Sequence, residues 1–218
     1  MSIKKTVIIN RAVPGSGKTT ITNSIYNTLK EYNLEVLIHS TDKYFMVGDR
    51  YVFHLDKLDT FHQENLKSFE KSLKNNHFVV ICDNTNLTPW QTEPYTKLAR
   101  EYGYQIIFIT FDPREIKKHV ESQIITLEKP DAHGVSEEII LRMIDEYHLY
   151  DSLLFKKNKI DTLKQIEYRW NEETLSKEPT GKPSEYFDVD YVIRILPSEY
   201  HKIKHNIGIK IMELINER

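Results

Sequence analysis

A single cysteine, Cys82, stands among 218 residues, so no internal disulfide partner exists, and the usage fits a reducing compartment. Glycine and proline are sparse, at 7 and 8 residues, which excludes collagen-like and low-complexity chains. No apolar run approaches the roughly 20 residues that span a bilayer. Met1 to Lys5 lead directly into a strand rather than a signal-peptide core, so a cytoplasmic protein with no membrane partner is expected. An excess of either charge is missing too: with a net charge of -2, a nucleic-acid partner would have to be met by a local basic patch. Apolar residues at 39% and charged residues at 28% describe one compact, helix-rich α/β domain with room for a small appendage.

What the chain does have is concentrated near its start. Val7-Ile8-Ile9-Asn10 is an apolar strand, Arg11 to Gly17 a glycine-bearing turn, and Lys18-Thr19-Thr20 the opening of a helix. Small residues there let backbone N–H groups curl around phosphate oxygens at a helix N-terminus, which already favours an anion. Pro14, Gly15, Ser16, Gly17, Lys18, Thr19 and Thr20 are the expected nucleotide-binding residues. Lys18 would reach the β and γ phosphates and the Thr19 hydroxyl would sit on Mg2+. The motif G-x-x-x-x-G-K-[ST] has glycine where this chain has Ala12, a replacement that is harmless where the backbone φ is negative.

A helix from about Lys18 to Tyr32 carries Ile21, Ile25 and Leu29 as one stripe, and Val36-Leu37-Ile38 make the second strand. Leu58, Phe61, Leu66, Phe69 and Leu73 outline a long amphipathic helix, and Phe78 to Cys82 the third strand. Thr88 and Pro89 begin the next helix, in which Pro94 marks a break or restart, and Gly103 caps it. Tyr104 to Phe111 is the fourth strand, followed by a helix to about Leu127, an interruption at 128–135 and a helix capped by Ser136. Beyond Tyr150 the pattern changes. Residues 173–184 read as a turn-rich linker and Tyr191 to Leu196 as one more strand. A last helix carries Tyr200, Ile203, Ile207, Ile211 and Leu214 on one face. Lys plus Arg against Asp plus Glu over 151–218 is 12 against 12, so this segment is no polycation. The expected division is a domain over 1–150 and a strand-helix appendage over 151–218.

Strand ends place the phosphate loop, Asp42, and Asp83 with Asn84, Thr85 and Asn86 on one rim, where open α/β sheets bind ligands. That layout suits phosphoryl transfer, which needs an aligned nucleophile and charge compensation. Asp42 can act as general base on an acceptor hydroxyl, or merely cap the Ser40-Thr41-Asp42 turn. Asp83, ending an apolar strand, can hold Mg2+ through water beside Thr19.

Val13-Pro14-Gly15-Ser16-Gly17-Lys18-Thr19-Thr20, Ser40-Thr41-Asp42-Lys43-Tyr44-Phe45, Asp83-Asn84-Thr85-Asn86-Leu87, Pro94-Tyr95 with Gly103, and His133-Gly134-Val135-Ser136 with Arg142, Met143 and Tyr147 resemble the P-loop kinase family that includes polynucleotide 5′-hydroxyl kinases. The match runs over about residues 6–150. It implies a three-layer sandwich around a central parallel sheet, ATP and Mg2+ as co-substrate, Asp42 as general base, and Asn84, Thr85 and Asn86 near the acceptor. Family members place arginines in the lid before the His-Gly-Val step. This chain has Lys129-Pro130-Asp131, which makes Lys129 the expected catalytic cation, with Arg114, Lys117, Lys118 and His119 in reserve.

The function expected is ATP-dependent phosphorylation of a hydroxyl, foremost the 5′-hydroxyl of a DNA or RNA end, with Tyr44, Phe45, Tyr51 and Trp90 available to stack bases. A kinase of small metabolites, nucleotide sugars or tRNA shares the scaffold. An ATP-binding adaptor that transfers nothing is the alternative of another class.

Overall fold

The computed structural model describes residues 3–127, 134–154, 168–171, 176–179 and 187–216. Its elements are β1 (Thr6–Arg11), α1 (Lys18–Glu31), β2 (Val36–His39), β3 (Met46–Val47), β4 (Arg50–Tyr51), α2 (Leu58–Lys74), β5 (Val79–Cys82), α3 (Pro89–Glu101), β6 (Gln105–Phe111), α4 (Ile116–Leu127), α5 (Glu137–Leu154), β7 (Tyr168–Asn171), β8 (Ser176–Pro179), β9 (Tyr191–Ile195) and α6 (Tyr200–Asn216).

Five strands form one parallel sheet in the order β2-β5-β1-β6-β9. Side chains alternate across β1 and its neighbours, so each face collects its own core. Ile8, Ile81, Ile107 and Ile109 pack with Ile21, Ile25 and Leu29 of α1 and Ile207, Ile211 and Ile215 of α6. Val7, Ile9, Val80, Ile106 and Phe108 pack with Phe69 and Leu73 of α2, Tyr95 and Ala99 of α3 and Tyr150 of α5. The result is the three-layer α/β sandwich that the resemblance implies. Among the described residues no helix is long and apolar enough to cross a membrane.

The expected strand-helix appendage is corrected here. β9 runs parallel to β6, with Ile107 opposite Tyr191 and Phe111 opposite Ile195, so it is the fifth strand of the same sheet. α6 lies against α1 so closely that a Cβ built on Gly208 would stand 2.3 Å from the Thr28 Cβ. Burial explains the correction: without β9 and α6, the α1 stripe would lose part of its apolar cover and one edge of β6 would lie open to water.

Two smaller expectations change as well. α3 runs unbroken through Pro94, because the ring removes only one N–H from a helix that is anchored on both sides of it by buried Thr92 and Tyr95. Within the expected linker, Ser176–Pro179 pairs antiparallel with Tyr168–Asn171.

If the C-terminal strand and helix belong to the common core, Ile211→Ala, at a fully buried position, should lower the urea-unfolding free energy of the whole chain by about 2–5 kcal/mol. A separate appendage would instead give a second transition and leave the main midpoint in place.

Candidate active site

The phosphate loop joins β1 to α1. Gly15 and Gly17 have φ of 78° and 82°, left-handed values that glycine adopts without steric cost, whereas Ala12 is not among the residues of positive φ. The Ala12 backbone is therefore unstrained, and its N–H donates to Thr85 O at 2.9 Å. Lys18 is half-buried, and Thr19 and Thr20 are exposed on the first turn of α1.

A loop that points N–H groups inward turns carbonyls outward, and three side chains meet them. His119 is hydrogen-bonded to Pro14 O at 2.9 Å through Nδ1, and its Nε2 lies 2.9 Å from the Arg114 N–H. A backbone N–H can only donate, so Nε2 accepts and Nδ1 carries the proton. Burial lowers the imidazole's pKa, in keeping with this neutral tautomer. Arg114 donates to Gly15 O and, at 2.8 Å, to Ser122 Oγ. Tyr200, from the first turn of α6, donates to Gly17 O at 3.1 Å. A cleft of about 310 Å³ opens beside the loop, lined by Ser16, Thr20, Arg114, Leu196, Pro197 and Tyr200 among others. His119 is thus a neutral strut rather than a phosphate clamp, and Lys117 and Lys118 are exposed. Lys129 lies outside the described residues.

Asp83 ends β5 buried, its Oδ1 accepting from Asn10 Nδ2 at 2.8 Å. The same Nδ2 donates to Thr22 Oγ1 at 2.7 Å, so both amide protons are used. The oxygens of Asp83 and Thr19 are of the kind that a hard cation takes while keeping most of its waters. Among the described residues no group of three His, Cys, Asp or Glu side chains converges. A cation held by Thr19 and Asp83 would therefore need water or phosphate oxygens to complete its shell.

Asp42 sits half-buried in a short 3-10 turn, Thr41–Phe45, at the end of β2. Asn84 Oδ1 accepts from Thr41 N at 2.9 Å while Asn84 Nδ2 donates to Tyr95 Oη at 3.3 Å. Asn86, buried with φ 49°, donates from Nδ2 to Asn10 O at 2.8 Å. The segment 83–86 is therefore tied to β1 through Asn86, to the phosphate loop through Thr85, and to the Asp42 turn through Asn84. Asn84 and Asn86 hold backbone, and Thr85 is half-buried between them.

Of the aromatic residues expected to stack bases, Phe45 is buried and Trp90 packs edge-on against Tyr150 at 5.2 Å. Tyr51 is half-buried with its ring 5.6 Å from that of Phe45, and Tyr44 is half-buried with its ring 5.9 Å from Phe61. Phe53, which sequence reasoning passed over, is 52% exposed and lies 5.1 Å from the Phe45 ring. Arg11 was also missed. It is fully buried, donates to Leu87 O and Tyr147 O at 3.1 and 2.6 Å, and pairs with Asp151 at 3.3 Å. A cation ending an apolar strand was the one available signal.

The AAA domain family matches residues 7–149. The chain is 31% identical over 153 residues to NEDD4-binding protein 2 of Homo sapiens, covering 67% of this chain and spanning only 8% of that protein. A crystal structure of a candidate kinase from Chloroflexus aurantiacus superposes with TM-score 0.57 at 12% identity, over 98% of this chain and 97% of that one. Chaetomium thermophilum Kti12, crystallised with ADP-AlF3, gives TM-score 0.56 at 13% identity over 97% and 100%.

A pH prediction follows from His39, which ends β2 next to the Asp42 turn. Its Nε2 donates to Ser72 Oγ at 2.9 Å, since Ser72 itself donates to Ser68 O. Burial, with Lys43 and His77 adding to it, lowers its pKa from 6.5 to about 4. Between those values the unfolded chain takes up a proton that the folded chain does not. His39 therefore makes stability fall as pH drops from 6.5 towards 4, by up to about 1.4 kcal/mol per pH unit. Urea unfolding at pH 7 and pH 5 should show a smaller difference in His39→Gln than in the parent.

Proposed function

The chain belongs to the AAA domain family, and from that premise we propose that it is an ATP-dependent kinase that phosphorylates a hydroxyl, with the 5′-hydroxyl of a nucleic-acid end as acceptor. The observation that carries the reading is the 83–86 segment. It is hydrogen-bonded to Ala12 of the phosphate loop on one side and to Thr41, beside Asp42, on the other. Phosphate donor and hydroxyl acceptor would thereby be held in a fixed relation, which is most of what phosphoryl transfer asks of a protein.

ATP, with Mg2+ on its phosphates, supplies the transferable group. The loop N–H groups and Lys18 hold the phosphates, and Thr19 and Asp83 hold the cation through oxygen. Asp42 accepts the proton of the acceptor hydroxyl as its oxygen attacks. Arg114, already beside Gly15 and lining the cleft, brings a planar guanidinium to the phosphate side where Lys129 can bring only a point charge. On the acceptor side Phe53 offers an exposed ring held in place by Phe45, which suits a stacked base. The likeness to the solved kinase-type structures supports the fold of this reading, and the geometry around Asp42 supports its chemistry.

Labelled ATP offered with 5′-hydroxyl oligonucleotides, nucleosides and sugars should label the oligonucleotides. Label on a small acceptor alone would overturn the acceptor assignment, and label nowhere would overturn the kinase reading. Asp42→Asn keeps the size and capping ability of aspartate but cannot take a proton. It should bind Mg-ATP normally while single-turnover transfer falls roughly 10²- to 10⁴-fold. A turn cap alone would leave transfer near normal. Phe53→Ala should raise the KM for oligonucleotide about tenfold with kcat little changed, within the roughly 1–3 kcal/mol that stacking one base contributes.

A further inference from the structure

We propose that Tyr200 is a positioning residue for nucleotide binding: by holding the Gly17 carbonyl it fixes the peptide whose N–H, that of Lys18, serves the phosphates. The inference rests on the nucleotide-binding part of the kinase reading. It makes the C-terminal helix a determinant of ATP affinity, through a residue that no sequence motif marks.

The placement of Tyr200 follows from two strand-helix units that share one parallel sheet. β9 ends at Ile195, Glu199 N donates to Leu196 O and Ile203 N to Glu199 O, both at 2.9 Å, and this turn starts α6 at the rim where α1 also starts. Along the face between the helices, Tyr200 meets Gly17, Ser24 Oγ donates to Lys204 O at 2.6 Å, and Gly208 lies against Thr28. The α6 positions recur every four residues, as one row on a helix does. Their partners rise in the same order, so the two helices run parallel with their N-termini together. Tyr200 is where this row reaches the phosphate loop.

The Tyr200 hydroxyl lies 3.1 Å from Gly17 O, and since a carbonyl only accepts, the phenol donates. The ring stands over the same residue, where a Cβ would meet Cζ at 2.7 Å and Cε2 at 2.9 Å. Gly17 O also accepts from Ile21 N at 3.2 Å, so Tyr200 fills the second lone pair. The Gly17–Lys18 peptide is trans, and in a trans peptide the C=O and the following N–H point in opposite directions. Lys18 is the first residue of α1, and its N–H is one of the four donors that a helix leaves unpaired at its start. Fixing Gly17 O on the α6 side therefore fixes that donor on the anion side.

Glycine at position 17 makes such a hold necessary. With φ 82° and no Cβ, its peptide has more rotational freedom than that of any other residue, and an anion would otherwise have to order it on binding. A loop that is competent only a fraction f of the time binds with its intrinsic Kd divided by f. A hydrogen bond that keeps f near one raises affinity without touching the nucleotide. By linkage, a bound phosphate chain in turn strengthens the contact of α6 with the loop. His119 and Arg114 hold Pro14 O and Gly15 O in the same way, which leaves Gly17 O to Ile21 and α6.

The test is Tyr200→Phe, which removes the hydroxyl and keeps the ring. The probes are Mg-ATP and inorganic tripolyphosphate with Mg2+, the second being the phosphate chain alone, each titrated by calorimetry into the full chain. Both should bind the variant roughly 3- to 10-fold more weakly than the parent, the range for losing one neutral hydrogen bond. The Tm without nucleotide should fall by about 4 °C at most. Ile207→Val, at a buried position of α6, loosens the docking of the helix without touching the loop and should leave both affinities parental. Parental affinities in Tyr200→Phe would overturn the proposal. So would weakened ATP with parental tripolyphosphate, since the hydroxyl would then serve the nucleoside. An equal loss in Ile207→Val would overturn it as well, because docking as a whole would then set the affinity. A parent that binds ATP but not tripolyphosphate would do the same, since its loop would hold no phosphate chain of its own. A parent that binds neither probe would remove the nucleotide reading itself, whereas a parent that binds both, with Tyr200→Phe unchanged, would remove only the role of Tyr200.

Discussion

A phosphate loop can aim consecutive N–H groups at one anion only by turning its carbonyls the other way, against protein, and a buried carbonyl without a donor is costly. In this molecule that constraint recruits three side chains. His119 and Arg114, from the segment after β6, serve Pro14 and Gly15, and Tyr200, from α6, serves Gly17. The Tyr200 hydroxyl lies 2.3 Å from where a Gly17 Cβ would be, so glycine there is required by contact as well as by φ. The C-terminal helix consequently belongs to the nucleotide side of the candidate site. Its docking on α1, the β9 strand that leads to it and the loop it touches form one continuous construction.

Arg11 performs the corresponding task on the other side of the loop. A fully buried guanidinium is expensive to desolvate and is tolerated only when its protons and charge are met. Here Leu87 O, Tyr147 O, Thr110 Oγ1 and Asp151 meet them, and the ring of Tyr147 lies 4.0 Å from the guanidinium carbon. Since arginine only donates, Thr110 must accept from it and pass its own proton to the Tyr147 hydroxyl, which donates to Asp112. Arg194 of β9 closes the circuit onto Asp112 and Asp151 at 2.8 and 3.1 Å. One cation at the end of the central strand thereby fixes α5, the β6 terminus and β9 around the rim that carries the chemistry.

How much of this could be read from residues alone depended on the range of the signal. The phosphate loop, the Ile21-Ile25-Leu29 stripe and the apolar runs of β1, β5 and β6 are local patterns, and they folded as read. β9 is only five residues long and follows a stretch with no clear period, so nothing local showed that it joins β6. The β3–β4 hairpin has strands of two residues each, too short for alternation, although Gly48-Asp49 between Val47 and Arg50 is a hairpin signal in its own right. The sequence places His119 with Lys117 and Lys118 among the reserve cations of a basic helix face. Lys117 and Lys118 are on that face, but His119 points the other way, because successive helix residues sit about 100° apart. Arg11 was hardest, since its partners lie up to 140 positions away in sequence.

The 83–86 segment shows why amides rather than carboxylates recur next to the candidate catalytic groups. Asn84 must accept from the Thr41 N–H and donate to Tyr95 Oη, while Asn86 must donate to Asn10 O and Asn10 must donate to Asp83. Aspartate at any of these three positions could not donate while ionised, and it would place a second negative charge beside Asp83 or near Asp42. Neutral amides at these positions add no further negative charge beside Asp83 or the Asp42 turn. The Asp42 turn, the phosphate loop and β1 are thus joined by polar contacts that do not compete with the phosphate for positive charge. The positive charge at the loop is left to Lys18, Arg114 and the helix N-terminus, where an incoming anion can use it.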